Sequence, residues 1–151
     1  MKQRVIFGTL LIALVVVGIN FVEFKHHDET EIKESLLSGY VHGAFNELNP
    51  DAMAKTFHKD FAIFSEKGDE ISRYPIADWI ASTRKRKESP DFDPAKNKWE
   101  HKFISVDVSG KAAAVELELH HNGKHVYTDY LSLLKFKSGW KVVAKVYNEH
   151  K

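Results

Sequence analysis

The chain has 151 residues, of which 43% are hydrophobic and 28% charged, so it is long and apolar enough for one globular domain and too apolar for a disordered chain. Its 22 Lys and Arg residues nearly balance 21 Asp and Glu residues, and the net charge of +1 gives no general attraction to nucleic acid or to an anionic membrane. The absence of cysteine excludes disulfides, thiolate catalysis, cysteine-bound zinc and the lipid-modified cysteine of a bacterial lipoprotein.

The N-terminal segment, residues 1–24, differs from the rest of the chain. Lys2 and Arg4 precede an uncharged apolar run from Val5 to Val22, which as a helix would span about 27 Å, enough to cross a bilayer core. The segment is predicted to be a signal anchor or, alternatively, a cleaved signal peptide. In both cases the basic residues stay in the cytoplasm, so we expect the domain to face the periplasm or the extracellular space.

The next part of the chain predicts helices. Residues 25–29 are predicted to be a polar linker and residues 30–151 a single domain. Apolar residues from Ile32 to Leu48 recur at spacings of three and four, which predicts one amphipathic helix. Asn49 then predicts the cap of a short second helix that begins at Pro50.

A third helix is predicted to begin at Pro75 and to end in the basic run of residues 83–87. We expect that run to be a solvated helix end, where cations suit the negative end of the helix dipole. Strands are predicted on both sides of Gly68, residues 88–97 are predicted to be a loop, and four successive strands follow at 98–108, 111–121, 124–136 and 140–147.

Two turns predict the registers of the last three strands. Asn122-Gly123 is typical of a two-residue hairpin loop, which by counting places Tyr130 opposite Val115. A three-residue loop ending at Gly139 would add Trp140 to the same face. The predicted helix-facing residues are Val115, Leu117, Leu119, Tyr130, Leu134, Phe136, Trp140, Val142 and Val146.

The opposite face of this predicted sheet carries an apolar patch, which predicts a homodimer surface. Its residues are Ala112, Ala114, Leu131, Leu133 and Val143. Two orientations stay open. A bulge at the Asn-Gly loop would turn Asp129 inward, and the length of the turn at Gly110 decides whether Trp99 and His101 face the helices.

The motifs WxHxFxxVDVxGxxAAVELEL and YxDYLxLLKFxSGWKVVxKVY, with the earlier segment of residues 40–64, resemble the nuclear transport factor 2-like superfamily. The closer resemblance is to its bacterial branch called "putative lumazine-binding", and SnoaL-like and ketosteroid isomerase-like proteins are also similar. The resemblance implies an α+β, cone-shaped fold with three N-terminal helices packed on a curved antiparallel sheet. It also implies either a ligand pocket or, as in the superfamily's isomerases and dehydratases, an acid–base site deep in the cone.

The predicted ligand pocket combines residues from the helices and strands of the cone. They are Tyr40, Phe64, Trp79, Trp99, His101, Tyr130 and Ser132. No catalytic residue is identified, because a general base must have a partner that tunes it and only His101 with Tyr130 suggests one. No cofactor or metal is expected either: the histidines near Asn122 are predicted to be a solvated hairpin tip, with a weak surface metal site at His120 and His125, opposite one another across the hairpin, as the alternative.

These observations predict an extracytoplasmic domain that binds a small apolar or heteroaromatic ligand without catalysis. It is expected to form a homodimer, to bind no nucleic acid and to be tied to the membrane if its leader is uncleaved. Two rival hypotheses remain: a membrane-anchored scaffold domain resembling one of type IV secretion systems, and an isomerase or dehydratase that uses the cone pocket.

Overall fold

The computed structural model describes residues 26–151. The predicted signal or anchor segment therefore lies outside the described residues. Among those described, no helix has both the length and the apolarity that crossing a membrane demands.

Three helices precede or interrupt the sheet in the described part of the chain. Helix α1 covers residues 26–46, so residues 26–29 of the predicted linker are helical; its last part, Leu36–Asn46, is π-helical. Helix α2 runs over Pro50–Thr56 and α3 over Ile76–Lys87. The Asn49 side chain caps α2 as predicted, accepting a hydrogen bond from the Ala52 amide at 3.1 Å.

Helices α1 and α2 pack closely because α1 carries a glycine at their contact. A Cβ at Gly39 would lie 2.0 Å from Oγ1 of Thr56, inside any van der Waals distance. Thr56 in turn donates a hydrogen bond to the carbonyl of Ser35 at 3.0 Å. Gly39 therefore allows the backbone approach that ties the two helices together.

Six strands form one sheet whose spatial order is β2-β1-β6-β5-β4-β3. The strands are β1 (Phe57–Lys67), β2 (Glu70–Pro75), β3 (Trp99–Ser109), β4 (Ala112–His121), β5 (Lys124–Phe136) and β6 (Gly139–Glu149). All neighbouring strands are antiparallel except β1 and β6, which are parallel. The helices cover one face of this curved, unclosed sheet, and a single apolar core lies between them. The expected α+β architecture is confirmed.

The predicted register of β4 with β5 is wrong beyond the first two pairs. The turn itself is as predicted: His121 pairs with Lys124, and Asn122 and Gly123 have φ values of 52° and 74°. Val126 is then an extra residue on β5, a β-bulge, because Tyr127 pairs with Leu119 immediately after the pair of His125 with His120. From the bulge onward, every side chain of β5 faces opposite to the prediction.

The turn between β5 and β6 also differs from the prediction. Phe136 pairs with Gly139, so the loop has two residues rather than three. A second bulge at Val143 then restores the pairs of Ser132 with Ala144 and of Tyr130 with Val146 that the sequence predicted.

The bulge at Val126 exchanges the two faces predicted for β5, and the bulge at Val143 does the same for the end of β6. Leu131 and Leu133, predicted on the outer patch, are 1% and 2% exposed in the core. The residues predicted to face the helices but found on the outer face are Tyr130, Leu134, Phe136 and Val146. The observed register thus buries Leu131 and Leu133, whereas the predicted register would bury Tyr130, Leu134 and Phe136 in their place.

A third bulge, at Ile104 on β3, determines the orientation of Trp99 and His101, which the sequence left open. The turn between β3 and β4 has two residues, since Ser109 pairs with Ala112. That turn alone predicts Trp99 and His101 on the outer face, but the bulge reverses the strand, and both pair with residues on the helix side of β4.

Candidate functional site

The centre of the candidate site is a buried charge pair that the bulges of β5 and β6 create. Asp129, on β5 after the first bulge, and Lys145, on β6 after the second, both face the core and are 0% and 4% exposed. Lys145 Nζ lies 2.6 Å from Asp129 Oδ1. The contact is an ion pair whose angles are not those of a hydrogen bond.

Tyr40 of helix α1 completes a three-residue group with these two side chains. Its hydroxyl donates a hydrogen bond to Asp129 Oδ2 and accepts one from Lys145 Nζ at 2.6 Å. The carboxylate therefore has a partner at each oxygen. Because the group links α1 to β5 and β6, its geometry depends on the packing of the helix on the sheet.

Burial shifts the proton affinities of two members of this group. Removal from water raises the pKa of Tyr40 well above 10.0, and the neighbouring Asp129 carboxylate raises it further. Burial lowers the pKa of Lys145 below 10.5, although the Asp129 carboxylate opposes that effect. The tyrosine is thus a firmly protonated donor, and the lysine gives up its proton more readily than a surface lysine.

Aromatic rings surround the Lys145 ammonium. Nζ lies 5.0 Å from the ring centroids of Tyr40 and Tyr147, 5.8 Å from that of Tyr127 and 6.0 Å from that of Trp79. Cation–π attraction at these distances partly replaces the lost hydration of the ammonium.

A cleft of about 420 Å³ opens above this ammonium. It lies between helices α1 and α3 and strands β1, β2, β5 and β6. Its lining residues are Phe45, Ile63, Ser65, Ser72, Tyr74, Trp79, Tyr127, Lys145 and Tyr147. The cleft thus has aromatic walls, the hydroxyl groups of two serines and three tyrosines, and one cation, the combination that fixes an aromatic ligand by stacking and a polar group by hydrogen bonding.

The seven residues predicted to line a pocket do not lie together in the structure. Trp79 lines the cleft, and Tyr40 lies behind it, bonded to Lys145. Trp99 packs beside the cleft, with its ring centroid 5.9 Å from that of Tyr127. His101 is on the helix side of β3, near Phe103, and burial lowers its pKa.

The other three predicted pocket residues lie away from the cleft. Phe64 borders a separate groove on the β1–β2 hairpin. Tyr130 and Ser132 are on the outer face of the sheet, a correction caused by the bulge at Val126. The structure therefore does not bring these three side chains together with Trp79.

The five residues of the predicted dimer patch are also divided. Ala112 and Ala114 are exposed on the outer face, and Val143 is the half-buried bulge residue. Leu131 and Leu133 are core residues and are unavailable to a partner.

Sequence reasoning missed Asp129, Lys145, Tyr127 and Tyr147 as site residues. One signal was present in the sequence. A bulge near the Asn-Gly loop was an alternative to the regular hairpin, and it would turn Asp129 inward. A lysine within the apolar run of β6 was the other signal, because a lysine between core residues of a strand is almost never buried without a charged partner.

Comparison with known proteins identifies the family of this chain. The family model described as "Putative lumazine-binding" matches residues 27–148. No curated protein matches the sequence.

Two solved structures illustrate the shared fold. A nuclear transport factor 2-like protein from Shewanella baltica OS155 is 23% identical, with a TM-score of 0.64 over 81% of this chain and 93% of its own. One from Methylobacillus flagellatus KT is 26% identical, with a TM-score of 0.62 over 83% of this chain and 94% of its own. This chain belongs to the "Putative lumazine-binding" family of the nuclear transport factor 2-like superfamily.

Proposed function

We propose that this domain binds a planar heteroaromatic molecule in the aromatic cleft, with the Lys145 ammonium donating a hydrogen bond to an acceptor on its ring. The observation that carries the proposal is a lysine at the floor of a cleft of about 420 Å³, a volume in the range of small-molecule sites. Lumazine, which the family description names, is a planar pteridinedione with carbonyl acceptors and has the required chemistry.

The arrangement of donors supports this ligand class. An ammonium has three N–H groups, and the hydrogen bond to the Tyr40 hydroxyl uses one of them, whereas the contact with Asp129 is an ion pair. Among the described residues no further hydrogen-bond partner of Nζ is found, so the ammonium keeps N–H groups for a ligand. The ring centroids of Tyr127 and Tyr147 lie 5.7 Å apart, and the two ring planes meet at 81°. A planar ligand can therefore stack on the face of one ring and contact the edge of the other.

Titration of the full chain with lumazine, in detergent micelles and followed by calorimetry, tests the proposal. Saturable one-to-one binding is expected. The double variant Asp129→Asn/Lys145→Met removes the ammonium without stranding a buried charge, and should weaken binding about tenfold or more, since hydrogen bonds to charged groups contribute about 1.5–3 kcal/mol. Lys137→Met, in an exposed turn, is the matched control and should bind like the wild type. A wild-type protein that binds neither lumazine nor other planar heterocycles would refute the proposal.

A second candidate function is proton-transfer catalysis in the same cleft, favoured by a carboxylate, a tyrosine and an amine in direct contact. We rank it second because Asp129 is 0% exposed behind Tyr40 and Lys145 and is not among the residues that line the cleft, so its carboxylate has no direct access to a substrate there. Nuclear magnetic resonance of a bound ketone in deuterium oxide distinguishes the two. Exchange of its α-protons that stops in Asp129→Asn/Lys145→Met indicates an enzyme, and its absence indicates a binding protein.

We further propose that the domain is extracytoplasmic and forms a homodimer through the outer face of its sheet. The basic and apolar N-terminal segment supports the location. The dimer is supported by an apolar row on neighbouring strands, in which Tyr130, Leu134, Phe136 and Val146 are 48%, 42%, 38% and 50% exposed. A phosphatase fused after Lys151 tests the location, since it becomes active only outside the cytoplasm.

A further inference from the structure

We propose that Glu118, His120 and His125 form a Zn²⁺ site on the outer face of the β4–β5 hairpin, separate from the aromatic cleft. One ligand atom from each of the three side chains lies within 4.8 Å of the others. Two imidazoles and one carboxylate are a ligand set that Zn²⁺ uses when its fourth position is held by water or another molecule.

The sheet places these three side chains together. Glu118 and His120 are two residues apart on β4 and so point to the same face, while His125 is the direct cross-strand partner of His120. Nε2 of His120 lies 3.2 Å from Oε2 of Glu118, close to the roughly 3.3 Å that separates two ligands of a tetrahedral zinc ion, and the proton of this hydrogen bond is released to solvent when Zn²⁺ takes its place. The rings of His120 and His125 are stacked with centroids 4.7 Å apart, so both imidazoles lie beside the carboxylate, and their ligand nitrogens must move closer when they bind one ion.

The hydrogen bonds around His125 prepare it as a ligand. Its Nε2 lies 3.0 Å from the carbonyl oxygen of Tyr127, which can only accept, so Nε2 carries the proton and the lone pair is on Nδ1. Thr128 Oγ1 lies 3.0 Å from the same nitrogen and 2.9 Å from Nε2 of His150, which links the ring to the C-terminal residues. Outer partners of this kind hold metal-binding histidines in one tautomer and orientation.

Glu118 has a cationic neighbour that Zn²⁺ must replace. Lys102 Nζ lies 3.9 Å from its carboxylate, but the Lys102 side chain is 68% exposed and such surface pairs are weak, so a divalent ion displaces it.

The experiment titrates Zn²⁺ into the full chain, purified in detergent micelles without a polyhistidine tag, with affinity measured against a chelating dye. One Zn²⁺ per chain is expected, and a melting temperature that rises with Zn²⁺ concentration, because the ion binds the folded chain. His120→Gln/His125→Gln should weaken binding more than tenfold, and Glu118→Gln about tenfold.

The matched control is His26→Gln/His27→Gln, which removes the same number of exposed imidazoles from helix α1. It should bind Zn²⁺ as the wild type does, and circular dichroism should show all variants folded. Equal loss in both double variants, or wild-type affinity in His120→Gln/His125→Gln, would overturn the site. X-ray absorption of the loaded protein should show two imidazole nitrogens at about 2.0–2.1 Å, and a zinc shell without them would also overturn it.

Discussion

Lys145 Nζ lies 2.6 Å from Asp129 Oδ1 in a part of the core where both side chains are almost fully removed from water. Neither charge is stable there alone, since the cost of burying an isolated ion exceeds the total stability of a typical domain unless the group neutralises. The pair therefore acts as a unit with Tyr40, and a ligand in the proposed site would contact this unit through Lys145.

The first prediction compares the loss of one charge of this pair with the loss of both charges. Lys145→Met should lower the free energy of unfolding by about 3–5 kcal/mol, because it leaves the Asp129 carboxylate buried without a countercharge. Asp129→Asn/Lys145→Met should recover most of that loss, since the asparagine is neutral and still accepts the Tyr40 hydrogen bond.

Urea unfolding of the full chain in micelles, followed by tryptophan fluorescence, measures both variants. Lys137→Met, in the exposed turn, should stay within about 0.5 kcal/mol of the wild type. A double variant no more stable than Lys145→Met would show that the charge pair is not the source of the loss.

The second prediction concerns alkaline pH. Because the pKa of Tyr40 is raised above 10.0 by burial and by Asp129, the folded state keeps a proton that the unfolded state releases near pH 10. The contribution of Tyr40 to stability is therefore complete below pH 10 and falls as the pH rises above it, by about 1.4 kcal/mol per pH unit.

Comparison of wild type with Tyr40→Phe between pH 8 and 11 isolates this contribution. The difference in unfolding free energy between the two proteins should be constant below about pH 10 and shrink above it. A difference that is flat, or that grows with pH, would contradict the raised pKa of Tyr40 that its burial beside Asp129 implies.

The third prediction tests the contact of α1 with α2. Gly39→Ala places a methyl group against the Thr56 side chain and the Ala52 carbonyl, at 2.0 Å and 2.6 Å, so the helices must separate. We expect a loss of about 1–3 kcal/mol, as for overpacked cores, despite the better helix propensity of alanine. Thermal unfolding measures it, with Ser38→Ala at the exposed neighbouring position as the control. Equal stability of the two variants would mean that the helices do not meet at Gly39.

The fourth prediction tests the outer face as a dimer surface. Leu134→Glu/Val146→Glu should raise the dimer dissociation constant more than tenfold, because charges replace two exposed apolar side chains at the centre of the proposed contact. Ile71→Glu changes a residue that is 77% exposed on β2, away from this row, and should leave association unchanged. Sedimentation equilibrium of the full chain in density-matched micelles is the measurement. Equal dissociation constants for the wild type and the double variant would exclude this face.

The number and order of the helices and strands follow from local sequence features. Asn49 and Pro50 begin α2 because their side chains suit a helix start, and Asn122 and Gly123 form a hairpin because both adopt positive φ. Such features act within a few residues, so they can be identified without knowledge of the rest of the chain. The family motifs, in addition, predicted the α+β fold.

The orientation of β5 and β6 could not be obtained in the same way. Val126 and Val143 are ordinary strand residues, and nothing beside them marks a bulge. With the bulges, Leu131 and Leu133 lie in the core, whereas the regular register would bury Tyr130 and Leu134 instead. Both sets are apolar, so the sequence pattern of the strand does not distinguish the two registers.

The sequence by itself therefore determined the elements, their order and the family, since caps, turns and hydrophobic periodicity are local. Only the tertiary structure decided which side chains meet in the cleft. One added residue in a strand reverses every side chain after it, and whether that residue is accommodated depends on packing between distant parts of the chain.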